Sequence, residues 1–120
     1  MAAGEPLTGA DRREIDATIR RAEQLSRCEF SVFVGQAGRD PRAYATSLHN
    51  SLVAPARTVL VLVDPRARVI EVVTGADARA RLTDAEVASV IDRMASDLAS
   101  GDLVGGLTRG IDLLARAARE

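Results

Sequence analysis

The stretch Thr58 to Val63 reads Thr-Val-Leu-Val-Leu-Val, six consecutive residues without a charge, a glycine or a proline. A β-branched and leucine-rich run of this length is too short for an ordinary helix and apolar from Val59 to Val63, so it suits a strand covered on both faces. Any fold for this chain must therefore place layers above and below one central strand. Asp64-Pro65-Arg66-Ala67 then reads as a turn, and Val69, Ile70, Val72 and Val73 around Glu71 form the next strand. So short a link favours an antiparallel hairpin.

Upstream, Phe30, Val32 and Val34 alternate with Glu29, Ser31 and Phe33, which predicts a strand over 29–36 ended by Gly35, Gly38 and Asp40-Pro41. From Pro41 the series Ala45, Leu48, Leu52 has helical spacing until Pro55. A helix between these two strands favours a parallel crossover. Thr8 with Asp11 starts a first helix over 9–26, carrying Ile15, Ile19, Ala22 and Leu25 on one face and mixed charge on the other. Thr83-Asp84-Ala85-Glu86 is a capping box before Val87, Val90, Ile91, Met94 and Leu98. Ser100-Gly101-Asp102 breaks that helix, and Leu103, Leu107, Ile111, Leu114 and Ala118 define a last one. The expected fold class is α/β: a three-layer α/β/α sandwich on a small mixed sheet, in the order α-β-α-β-β-α-α. Residues 1–7 read as a flexible lead and 8–118 as one domain.

Charge narrows the partner class. The 16 cationic residues are all arginine and face 17 acids, for a net charge of −1. They are interspersed along the chain, so no overall positive field exists to hold a phosphate backbone, and nucleic acid is disfavoured. Met1 to Ala10 contains Glu5 and Pro6 and lacks the basic start and apolar stretch of a signal peptide. No apolar run approaches the roughly 18 to 20 residues that span a bilayer. A cytoplasmic protein without an integral membrane segment is expected. One cysteine and one histidine cannot assemble a zinc site of thiolates and imidazoles within the chain.

Candidate chemistry is sparse. His49 is the single side chain with an ordinary pKa near neutrality, but no nucleophile stands at a known motif spacing from it, and a helix-flank or core-edge role is favoured. Cys28 alternates with Phe30 and Val32 and reads as a small buried hydrophobe. Asp64 follows the central strand, where open α/β sheets commonly bind ligands, and Asp40 occupies a comparable place after the first strand. With Asp77 as a companion, Asp64 and Asp40 are the candidate metal ligands, since Mg2+ and Ca2+ take loop carboxylates. An Asp-Pro turn also explains Asp64 without any ion. No cofactor is assured. Neither GxxxxGK[ST] nor GxGxxG occurs. Gly105, Gly106 and Gly110 lie inside the last helix, where each costs about 1 kcal/mol relative to alanine, and close packing against a neighbour is the leading reason for them. A ligand at that helix start and self-association are the alternatives.

Glu71-Val-Val-Thr-Gly75, Leu82-Thr-Asp-Ala-Glu-Val87, Val90-Ile-Asp-Arg-Met94 and Gly101-Asp-Leu-Val-Gly-Gly-Leu-Thr-Arg-Gly-Ile111 together resemble the TPM-domain family, including its actinobacterial branch of unknown function. The resemblance runs from about Thr8 to Ala118 and is most specific in the second half. It implies a compact α/β/α sandwich. Among that family some members are acid phosphatases or bind divalent cations, and others are accessory proteins in photosystem repair, receptor assembly or envelope processes. The sequence departs from many of them at Val53-Ala-Pro-Ala-Arg57, where an acidic segment containing Asn-Gly is usual. The expectation is a non-catalytic accessory or protein-interaction module with an unidentified protein partner and an unknown oligomeric state. The alternative is a divalent-metal-dependent phosphatase-like hydrolase built on Asp64.

Overall fold

A computed structural model describes residues 7–119. The expected lead over 1–7 lies outside the described residues except for Leu7, which packs against the main core. At the centre is β2 (Thr58–Asp64), buried along its whole length. It pairs in parallel with β1 (Glu29–Val34) and antiparallel with β3 (Val69–Thr74), giving the sheet order β1-β2-β3. Alternation along β2 sends Val59, Val61 and Val63 into the larger core and Leu60 and Leu62 into the smaller one on the opposite face. A strand with apolar side chains on both faces is what a three-layer sandwich requires.

The larger core is closed by three helices. The first, α1 (Gly9–Ser26), starts on a capping box formed by Thr8 and Asp11 and ends at Arg27, which adopts φ 64°. Next in that layer, α4 (Asp84–Ala99) starts on the Thr83 and Glu86 box, and α5 (Leu103–Ala118) has Asp102 as its N-cap. Gly101, at φ 86°, makes the reversal between α4 and α5, a backbone angle that favours glycine. On the other face α2 (Pro41–Asn50) lays Ala45 and Leu48 over Leu60, Leu62 and Val73. The fold is the expected α/β sandwich, with its strand pairing as the link lengths require.

Two short elements add to that reading: a 3-10 turn at Pro55–Arg57 and α3 (Ala76–Arg79). They meet across Gly75, where any Cβ would collide with the carbonyl oxygens of Pro55 and Ala56. Both are too short to leave a periodic signature. The boundaries of β1 and α2 also shift. Gly35 still donates its N–H to Val63, but Ala37 N–H turns to the Asp64 carboxylate at 3.0 Å, so the strand stops at Val34. The helix expected to reach Pro55 ends at Asn50, where the Ser51 hydroxyl caps the Leu48 carbonyl. No helix among the described residues is long and apolar enough to cross a membrane.

Candidate functional site

Asp64 and Asp40 follow strands that run in the same direction, so both lie at one end of the sheet. Asp77 follows the antiparallel β3 and lies at the other end, a strand length of about 20 Å away. The three candidate ligands therefore do not converge. Among the described residues no group of three His, Cys, Asp or Glu side chains is placed to hold a metal ion. Asp64 is 5% exposed, and both of its oxygens accept main-chain bonds: Oδ2 from Ala37 N–H at 3.0 Å, Oδ1 from Ala67 N–H at 3.1 Å. One buried carboxylate thus pins the loop before α2 and the β2–β3 turn. Asp40 caps α2 through Ala43 N–H, and Asp77 is exposed in the first turn of α3.

His49 is buried, with Nε2 2.9 Å from the Thr58 carbonyl. A carbonyl only accepts, so that nitrogen carries the proton and ties α2 to the start of β2. Cys28 is buried in the same core as Phe30 and Val32. Its neighbour is Arg81, whose Nη1 donates to the carbonyls of Ser26 and Ala118 while Nη2 lies 3.6 Å from Sγ. Arg81 joins the ends of α1 and α5. Nothing in its sequence neighbourhood announces that role, because both partners are main-chain atoms more than 35 residues away.

Gly106 and Gly110 face α4. A Cβ on Gly106 would come 2.9 Å from the Leu98 side chain, and one on Gly110 would come 2.5 Å from Met94 Sδ. Beside this close approach the two helices leave an open cleft of about 480 Å³. Met94, Gly110 and Leu113 are among its lining, together with Arg93, Arg109 and Arg116. Arg109 is neutralised by Asp97 at 3.2 Å and Asp102 at 2.7 Å. Its hydrogen bond holds the Asp102 carboxyl below the usual carboxylate range, with Gly105 N–H acting in the same direction, and Asp97 then Asp102 raise the Arg109 guanidinium. Arg93 and Arg116 have no ion-pair partner among the described residues. Residue spacing along either helix does not announce this cleft, since a cleft between helices depends on their relative placement.

A family model described as a domain of unknown function, DUF5130, matches residues 1–115. The chain belongs to the DUF5130 family. Among the relatives of this DUF5130 chain are the uncharacterized proteins Rv2468c and MT2543 from two strains of Mycobacterium tuberculosis, each 28% identical over 109 residues. The match covers 91% of this chain and 65% of each relative, so the chain spans less than two thirds of their length. Its fold is shared with the BA42 protein of Bizionia argentinensis, at a TM-score of 0.85 and 19% identity over 98% of this chain and 86% of that one. The N-terminal domain of a protein from P.gingivalis gives 0.78 at 21% identity over 92% and 75%. The N-terminal domain of the cg2496 protein of Corynebacterium glutamicum gives 0.75 at 16% identity over 93% and 74%. These likenesses show a shared fold.

Proposed function

We propose that this DUF5130 domain is a non-catalytic accessory module, TPM-like in pattern, that works by binding a protein partner. The observation that carries the reading is the cleft between α4 and α5. It offers apolar surface at Met94 and Leu113 beside two arginines, Arg93 and Arg116, that make no direct ion pair with a described residue and outnumber the one further carboxylate in the lining, Asp112. Apolar anchors flanked by acidic side chains would complement it. The reactive groups support the same reading. His49 and Asp64 are spent on main-chain bonds, and Cys28 is buried.

The test is affinity capture combined with cross-linking, run in parallel on the unmodified protein and on an Arg93→Glu/Arg116→Glu variant. The expected result is a partner that cross-links to the cleft and is lost from the variant. Equal capture by both proteins removes the cleft from the proposal. The alternative, a divalent-metal-dependent phosphatase-like hydrolase, needs carboxylates gathered at one strand end. A melting temperature raised by millimolar Mg2+ or Ca2+, with hydrolysis abolished by Asp64→Asn, would favour it over the binding reading.

A further inference from the structure

The sheet has an edge guarded at a single amide. Gly35 donates to Val63, and Val34 lies opposite Val63, so the odd-numbered residues of β1 turn their main-chain groups toward β2. Phe30, Val32 and Val34 turn theirs outward. One of these groups is covered: Glu23 Oε2 accepts the Phe30 N–H at 3.0 Å. The other outward amides and carbonyls of these residues have no hydrogen-bond partner among the described residues. Natural edges are usually blunted by charge, proline or a bulge, yet Phe30 to Val34 contains neither charge nor proline. At the far edge Arg42 covers the Val72 carbonyl at 2.9 Å.

Both faces of β1 also carry apolar surface to that edge. Val32 and Val34 are half-buried on the side of the larger core, and on the other side half-buried Phe33 meets Tyr44 edge-on at 5.7 Å, with Tyr44 39% exposed. We propose that β1 pairs antiparallel with β1 of a second copy about a two-fold axis at Val32, joining two sheets into one of six strands. The sequence is self-complementary in this register. Val32 exchanges both main-chain bonds with its mate, Val34 N–H reaches the mate's Phe30 carbonyl, and Ser31 stands opposite Phe33. The exposed-edge Glu23 carboxylate must swing off the Phe30 N–H to admit the mate's Val34 carbonyl. Charge fits as well: Glu29, paired with Arg57 at 2.7 Å, falls opposite Gly35 and never faces its own copy. An isologous contact of this kind closes after two chains. It uses the sheet edge and not the α4–α5 cleft.

Sedimentation of the unmodified protein across micromolar to millimolar concentration should show a monomer–dimer equilibrium. Val32→Pro removes an outward amide and no bond to β2, so it should weaken association tenfold or more while the monomer stays folded by circular dichroism. Should that variant fail to fold, an isotope-filtered NOE between Ser31 Hα of one copy and Phe33 Hα of the other reads the same register without mutation. A monomer up to millimolar concentration overturns the proposal. So does a dimer lacking that NOE, or a different protein found paired on β1 while the purified chain stays monomeric.

Discussion

Gly75 and Gly105 both sit where a side chain would have close neighbours, but the neighbours differ in what they can do. At Gly75 they are the carbonyl oxygens of Pro55 and Ala56, which cannot move without shifting the 3-10 turn. At Gly105 they are the far ends of the Asp102 and Arg109 side chains, which can rotate into water. Gly75→Ala should therefore cost about 1–3 kcal/mol, as overpacking does. Gly105→Ala should stay within about 1 kcal/mol of neutral in either direction, because alanine's helix propensity is offset by the disturbed Asp102 cap on α5, while the exposed ion pair contributes little. Urea unfolding midpoints at constant slope check both. In sequence the weight falls on Gly105, a helix-interior glycine expected to mark close packing, whereas Gly75 reads as an ordinary strand-end glycine. Which one is obligatory depends on a segment 20 residues upstream of Gly75 folding back onto it.

Among the elements, the helices were the most legible and the joints between them the least. Thr8 with Asp11 and Thr83 with Glu86 announce two helix starts through local capping chemistry, and the structure shows both boxes. Arg81 acts across the chain and gives no such signal. Removing it as Arg81→Ala leaves the Ser26 and Ala118 carbonyls short of a charged donor, with an expected loss of about 1–3 kcal/mol and faster amide exchange in the last turns of α1 and α5. The start of α5 has its own pH response. The Asp102 carboxyl is held below its ordinary value by Arg109 and Gly105 N–H, so its contribution is complete above the unfolded pKa and is lost as pH falls through the folded one. Below about pH 4 the Gly105 amide should begin to lose protection. An Asp102→Asn variant should lack that acid step when amide exchange is followed by NMR.

For the molecule as a whole, the layer order followed from one run of five apolar residues, Val59 to Val63, because a strand buried on both faces demands covering on both faces. The pairing directions followed from link lengths. The candidate site was harder to read. Asp40, Asp64 and Asp77 share a position relative to their strands in sequence, but the antiparallel hairpin sends Asp77 to the opposite end. The cleft was hidden for a related reason: Arg93 and Arg116 belong to different helices, and their proximity exists only once Gly110 lets α5 settle against Met94. Residues that look reactive in isolation, His49 and Cys28 among them, are occupied by the structure that the same sequence builds.

The double anchoring of Asp64 has a chemical consequence for the peptide bond that follows it. Aspartyl–prolyl bonds break in dilute acid when the side-chain carboxyl attacks its own carbonyl carbon, a reaction that requires the carboxyl to swing inward. In the native protein both oxygens are held by Ala37 and Ala67 amides, so the bond between Asp64 and Pro65 should survive for as long as the domain remains closed. Unfolding frees the carboxyl and starts the cleavage. Incubation in dilute formic acid, followed by mass spectrometry for fragments 1–64 and 65–120, should show scission that accelerates with added denaturant; equal rates with and without denaturant would contradict the protection. The central strand's last residue would then serve as a built-in clock for how often the whole molecule opens.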